Sequence, residues 1–339
     1  MSLSAPLVLL LTHSGDYFTI DRVAAALEAR GATALRFDTD SFPSNLRIAI
    51  EPGQPSRRYL FEAGGSANSE RHWWNLEDVS AVWSRRVWDS KLSPELDEQF
   101  REGCIRESGA ALRGFLGGLQ QAHWVNPQRA DQRAADKLLQ LEIAAALEIP
   151  IPKTLVTNDP ASVRRFVDET NGPVITKMLT PLTVSMGQPE LFVRTSRIEV
   201  EDLEHLQGLA HSPMMFQEEI SKDVELRVVH VAGEFYVGQV DASCSARGAT
   251  DWRAASTSEV QWKRGSLPDT LAAQLRALMS ELGLIYGAID LIRQPAGDHV
   301  FLEVNPCGEW GMLERDLDLD ISGALARALL SATKENSAR

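Results

Sequence analysis

The chain has 339 residues, 44% of them hydrophobic and 24% charged, the balance of a soluble globular protein with material for two or three domains. Its 34 basic and 47 acidic side chains leave a formal charge of -13, which argues against broad nucleic-acid binding. Three cysteines, at 104, 244 and 307, are too few and too widely spaced for a disulfide framework, so a reducing cytoplasm is the expected setting.

The opening run Leu7-Val8-Leu9-Leu10-Leu11 follows no basic segment and is too short to span a membrane, so it reads as a buried strand. A loop at His13-Ser14-Gly15-Asp16, a helix near 19–30 and a strand from Thr33 to Phe37 follow. This βαβ order predicts an open, parallel α/β domain. One glycine in the first turn is no dinucleotide fingerprint, and His13 is either a substrate contact or a loop anchor. Short strands are expected within 46–75, with a Gly64-Gly65 turn, and a buried strand over Val79 to Trp83. Arg85 and Arg86 lie between Trp83 and Trp88, a mixture suited either to stacking and oxyanion pairing or to an internal packing seam. A polar helix is predicted over 94–121, and Asn126-Pro127 marks a boundary.

Leucines and alanines predict a helix from Asp131 to Leu147, another near 160–170, and a strand from Pro173 to Met178 that ends on Lys177. The loop after it offers hydroxyls at Thr180, Thr183 and Ser185, so Lys177 is a candidate phosphate ligand; the alternative is a solvated strand end. Lys137 is a second candidate cation, or part of a solvated helix face. Apolar Met214-Met215-Phe216 gives way to Gln217-Glu218-Glu219-Ile220, whose backbone is a candidate reader of adenine. Alternation puts Glu225 and Arg227 on one strand face, the first suited to ribose hydroxyls and the second to phosphate oxygens.

Near the end, the strands 286–292 and 300–305 flank a turn at 294–298, and a hairpin centred on Ala296-Gly297 places Asp290 opposite Glu303. Asn305 then shares the face of Glu303. Two facing carboxylates repel unless a proton or a cation intervenes, and these oxygen donors suit magnesium; a solvent-facing edge is the other reading. Cys307, next to this strand, is a candidate nucleophile with no histidine near it in sequence. The units expected are 1–125, 126–215 and 216–331, with a flexible tail at 332–339.

Lys137, Lys177, Gln217-Glu218-Glu219-Ile220, Glu225, Asp290 and Glu303-Val304-Asn305-Pro306 in this order resemble the ATP-grasp superfamily over about 126–330. The resemblance implies an α/β and α+β architecture: an ATP-grasp fold behind an N-terminal open α/β (pre-ATP-grasp) domain. It implies ATP and Mg2+ as cofactors, with Lys137 and Lys177 on phosphates, residues 217–220 on adenine, Glu225 on ribose, and Asp290, Glu303 and Asn305 on the metal. The segments 9–23, Arg36 to Pro43, Val82 to Trp88, Thr250-Asp251-Trp252-Arg253 and Glu303 to Trp310 resemble the microviridin-type (graspetide) peptide maturases. These are ATP-dependent macrocyclases that activate Asp or Glu side chains of a ribosomal precursor as acyl-phosphates. They then join them to Ser or Thr hydroxyls as ω-esters, or to Lys amines as ω-amides. The resemblance therefore implies a precursor peptide with a leader and an acidic core as partner, a possible homodimer, and no nucleic-acid or membrane partner. It makes Arg227, Arg253 and Asp251 candidate catalytic residues and lets Tyr236 to Arg253 line the peptide side. Ala288 departs from the pattern, because many ATP-grasp ligases carry arginine two positions before the first metal Asp; Arg253 is then a candidate substitute. A ligase that adds free amino acids to a peptide, and a non-catalytic ATP-responsive peptide-binding protein, are the alternatives.

Overall fold

The computed structural model describes residues 5–51, 53, 59–62, 73–180, 195–241 and 261–336. Asp251 and Arg253, most of the loop after Lys177, and the Gly64-Gly65 turn lie outside them. Strands and helices follow one another as β1 (Leu7–Thr12), α1 (Thr19–Glu28), β2 (Thr33–Asp38), β3 (Arg47–Ile50), β4 (Tyr59–Glu62), β5 (Trp73–Asn75), β6 (Val79–Ser84), α2 (Glu98–Gly117) and β7 (His123–Val125). Four of these strands make a parallel sheet in the order β2-β1-β6-β7, as the βαβ reading requires, and β3, β4 and β5 form a separate antiparallel sheet. The polar helix is shorter than expected at its start, because the Asp97 carboxylate accepts the Gln99 N–H and caps it there.

The single helix expected over 131–147 is two: α3 (Gln128–Ala134) and α4 (Lys137–Ala146). Asp136 breaks it, its carboxylate accepting the N–H groups of Leu138 and Leu139 and starting a new N-terminus. The chain continues through β8 (Thr154–Thr157), α5 (Pro160–Glu169), β9 (Val174–Lys177), β10 (Ser196–Arg197) and β11 (Met214–Glu218). These strands form a second antiparallel sheet, ordered β10-β9-β11-β8. Its own small core holds Val163, Val174, Leu206, Leu209 and Phe216.

Last come β12 (Val224–Val231), β13 (Glu234–Val240), β14 (Lys263–Arg264), α6 (Asp269–Leu282), β15 (Tyr286–Arg293), β16 (His299–Asn305), α7 (Gly311–Leu317) and α8 (Ile321–Asn336). The strands build a five-stranded sheet in the order β14-β13-β12-β15-β16. Alternation sorts its residues to two cores. Leu226, Val228, Ile289 and Val304 meet α3, α4 and α6, whereas Val229, Val231, Tyr286 and Ala288 meet the first sheet through Leu10, Trp83 and Val125. Trp83 and Trp310 are fully buried in this second core; burying an aromatic of that size contributes roughly 3 kcal/mol or more.

Packing redraws the expected limits at three places. Helix α4 belongs with the five-stranded sheet rather than with β8 to β11, because Leu141 and Ala144 face that sheet's core. The strand β11 runs through the 215/216 boundary. Helix α8 continues to Asn336 into the expected tail, since no Gly or Pro interrupts residues 324–336.

Candidate functional site

Asp290 and Glu303 are directly paired across β15 and β16. The hairpin does not reach that pairing as the turn alone dictates. From Arg293↔His299 through Leu291↔Phe301 the register is centred on Ala296, and it shifts by one residue between Leu291 and Asp290. Strict alternation would set Phe301 and Val304 on opposite faces, yet both are buried in the same core. A bulge at Leu302 resolves the conflict and leaves Glu303 opposite Asp290, with Asn305 two residues on and opposite Ala288.

Each carboxylate has its own cation. Arg227 pairs with Asp290 in the β12–β15 register, and its Nη1 donates to Asp290 Oδ1 at 2.7 Å with both groups buried. Lys137, in the first turn of α4, meets Glu303 Oε2 at 2.8 Å, and both side chains are about one-fifth exposed (22%/22%). Each of the facing carboxylates therefore lies against a cation of its own, a strand-borne guanidinium and a helix-borne ammonium.

The loop after β16 fixes this arrangement. Arg227 also donates through Nε and Nη2 to the Glu309 carbonyl, at 3.1 and 2.9 Å. The Glu309 carboxylate pairs with Arg85 and accepts the N–H groups of Trp310 and Gly311. Arg85, 0% exposed, donates at 2.5 Å to the Cys307 carbonyl. Asn305 Oδ1 accepts the Cys307 N–H at 2.9 Å, and the Tyr286 hydroxyl donates to the Gly308 carbonyl. A Cβ on Gly308 would stand 2.3 Å from the Ala288 Cβ and 2.9 Å from Arg227 Nη2. Position 308 thus has no room for a side chain between Ala288 and the Arg227 guanidinium, and Arg227 brings a cation to Asp290 from the neighbouring strand where position 288 carries none. Burial pushes the Cys307 thiol up to about 12, which removes it as a nucleophile near neutral pH.

Two residues hold the elements in place: Gln140, which no sequence signal marks, and Asn126, expected only as a boundary. Gln140 donates to the Val304 carbonyl and accepts its N–H, both at 2.8 Å, which locks α4 on β16 and sets Lys137 within reach of Glu303. Asn126, 1% exposed, donates to the Tyr286 carbonyl and Asp131 and accepts the N–H groups of Ile285 and Tyr286. The expected boundary is therefore a buried clasp between β7 and β15. An amide beside a Pro, followed five residues later by an acid, was the only local signal.

The remaining candidates lie on the other sheet or at its junction. Lys177 ends β9, opposite Met215 of β11. Gln217 is buried and donates to Thr154; the Glu218 carboxylate accepts the Lys153 N–H, and Glu219 pairs with Arg197 at 2.6 Å. The backbone N–H groups of Glu218 and Glu219 are donated to the Lys153 and Pro173 carbonyls, so Ile220 is the residue of this segment whose N–H meets no acceptor among the described residues. Glu225 shares its face with Arg227 as expected and pairs with Lys222 at 2.6 Å. His13 proves to be a loop anchor: it accepts the Gly15 N–H and stacks on Trp88 with ring centroids 3.6 Å apart.

No three His, Cys, Asp or Glu side chains converge among the described residues. Two carboxylates and the Asn305 amide oxygen are what the sheet offers, and such a sparse oxygen set fits magnesium, which keeps waters and takes further oxygens from phosphates. A calcium cage or a zinc site would need more or softer ligands. Among the described residues, no helix is long and apolar enough to cross a membrane.

Two family models cover the chain: an MvdD pre-ATP-grasp domain over residues 7–132 and a RimK-like ATP-grasp domain over residues 134–329. Among solved structures, the macrocyclase MdnB from Microcystis aeruginosa MRC is 43% identical, with 96% of this chain and 99% of that chain covered and a TM-score of 0.78. The macrocyclase MdnC of the same organism, bound with precursor peptide MdnA, is 36% identical over 96% and 99%, with a TM-score of 0.83. A RiPP-associated ATP-grasp ligase of Chryseobacterium gregarium, in complex with ADP and a leader and core peptide, is 29% identical over 96% and 97%, with a TM-score of 0.85. No curated protein sequence matches.

Proposed function

Because the chain belongs to the ATP-grasp ligases, in the graspetide maturase family with an MvdD-type pre-ATP-grasp domain, we propose that it closes macrocycles in a ribosomal precursor peptide. As an ATP-grasp ligase it uses ATP and Mg2+. The observation that carries the reading is the Asp290–Glu303 pair with a cation on each member, set on the face that also presents Asn305. MgATP supplies the phosphoryl group that converts an Asp or Glu carboxylate of the peptide into an acyl-phosphate, which a Ser or Thr hydroxyl or a Lys amine then attacks.

In this reading Asp290, Glu303 and Asn305 hold the metal, and Lys137, Lys177 and Arg227 offset phosphate charge. Residues 217–220 take the adenine, with Ile220 offering its N–H, and Glu225 takes the ribose. Arg227 is kept in place by the Glu309 carbonyl, so its charge needs no reorganisation when charge builds on the transferring group. Arg253 and Asp251 are retained as candidates for orienting the substrate. A cytoplasmic setting and a homodimer belong to the same reading.

Mass spectrometry of candidate precursor peptides with acidic cores, after incubation with the protein and MgATP, decides the matter. Macrocyclisation predicts the loss of one water per bond formed. A gain in mass would establish the amino-acid ligase instead, and an unchanged mass with no ATP consumed would overturn the catalytic reading.

A further inference from the structure

Arg85 and Arg86 are neighbours in sequence, but among the described residues only Arg85 has bonded partners. Arg85 is fully buried and bonded to Cys307 and Glu309. Arg86 is half-buried and, among the described residues, has neither a hydrogen bond nor an ion pair. A guanidinium carries five N–H donors and keeps its charge, so each donor taken out of water with no acceptor costs free energy. Burial and the adjacent Arg85 charge both depress its pKa, and the nearby anions Glu309 and Asp16 offset this only in part. Neither anion is bonded to it: Glu309 is held by Arg85 and two backbone N–H groups, and Asp16 Oδ2 accepts the Thr12 hydroxyl at 2.5 Å.

The place of Arg86 in the fold is as telling as its isolation. In the sheet order β2-β1-β6-β7, the chain leaves β1 toward β2 on one side, while β6 lies on the other. Open parallel sheets bind ligands at such a reversal, outside the carboxyl ends of the strands. Here those strand ends carry the loop His13–Phe18 and the segment Arg86-Val87-Trp88, which His13 ties together by stacking on Trp88. Tyr17 on the loop is 78% exposed, and Val87 beside Arg86 is 49% exposed. Cys307 and Glu309 lie within electrostatic reach of Arg86, so it stands beside the loop that holds Arg227 and Asn305.

We propose that Arg86 is the anchor for a peptide carboxylate, its planar fork receiving an Asp or Glu side chain of the substrate while Tyr17 and Val87 flank the adjoining peptide. The identity of the peptide rests on the macrocyclase reading; the carboxylate specificity does not. A carboxylate is favoured over a nucleotide phosphate because the cations proposed for phosphates, Lys137, Lys177 and Arg227, stand on α4, β9 and β12, outside the sheet that carries Arg86.

The test measures binding of full-length MdnA, and of MdnA with its core Asp and Glu changed to Asn and Gln, to wild type, Arg86→Gln and Arg86→Lys without nucleotide. MgADP is titrated separately. Wild type should prefer the acidic form. Arg86→Gln should weaken the acidic form about tenfold or more and the amide form by less than about twofold, with Arg86→Lys between them because it keeps the charge and loses the fork. MgADP affinity should not move. Equal losses for both peptides, no loss, or a wild type that does not distinguish them would overturn the assignment; loss of MgADP binding would give Arg86 to a phosphate instead. Failure of the macrocyclase reading looks different: the wild-type protein would still discriminate the acidic peptide, yet leave its mass unchanged with MgATP.

Discussion

The five-stranded sheet and the sheet of β8 to β11 each carry part of the candidate site, but they are anchored differently. The first is sewn to the N-terminal sheet by a shared core, by Asn126 and by Arg85. The second has a core of its own, and the charged residue just past β11, Glu219, pairs locally with Arg197. The carboxylates therefore sit on the sheet that shares its core with the N-terminal unit, while Lys177 sits on the smaller sheet with a separate core.

Exchanging the carboxylates is the largest expected disturbance of the five-stranded sheet. Asp290→Asn and Glu303→Gln should each lower peptide-coupled ATP consumption about 100-fold or more. Their stabilities should nevertheless differ. Asp290→Asn leaves the buried Arg227 without its counter-ion and should cost about 3 kcal/mol in urea unfolding, whereas Glu303→Gln releases the more exposed Lys137 and should cost less than about 1 kcal/mol. Equal stability losses would mean that the two pairs are not anchored differently.

A second, smaller test addresses the Asn126 clasp through pH. Burial pushes the Asp131 carboxyl up to about 7, partly opposed by the hydrogen bond from Asn126. A carboxyl whose folded pKa is raised favours the folded state fully only below about pH 4, and that contribution is lost as pH rises through about 7. Asp131→Asn should therefore match wild type near pH 4 and exceed it by up to about 3 kcal/mol at pH 8, measured by urea unfolding at both pH values. A variant with the same pH dependence as wild type would show that Asp131 is not the titrating group. The smallest effect belongs to the other sheet: Arg197→Ala opens a half-exposed pair with Glu219 and should change the melting free energy by less than about 1 kcal/mol.

What could be read in the chain followed the range of its interactions. Alternation and turn chemistry were enough to place β1, β15 and β16, which depend on residues close in sequence, and the facing of Asp290 and Glu303 followed from a hairpin centre half a residue from the one the turn adopts. The bulge escaped notice because it reflects which core Phe301 and Val304 both enter. Asp136 was a legible helix start hidden inside an apolar periodicity. Gln140, Asn126 and Arg85 were illegible in role, since their partners lie 164, 160 and 222 positions away. Arg86 looks the same as Arg85 in sequence, and only the fold shows that, among the described residues, Arg85 is bonded and Arg86 is not.

The bulge at Leu302 also divides the final hairpin into two parts that can be changed separately. Beyond it, residues Pro295 to Asp298 are exposed and Gly297 supplies the positive φ of the turn. On the other side, Glu303 and Asn305 take their alignment from the two cores rather than from the tip. The tip is therefore a permissive insertion point: a fluorophore site, an affinity tag or a longer loop placed between Gln294 and Asp298 would report on the protein from a few residues away while leaving the carboxylate register as it stands.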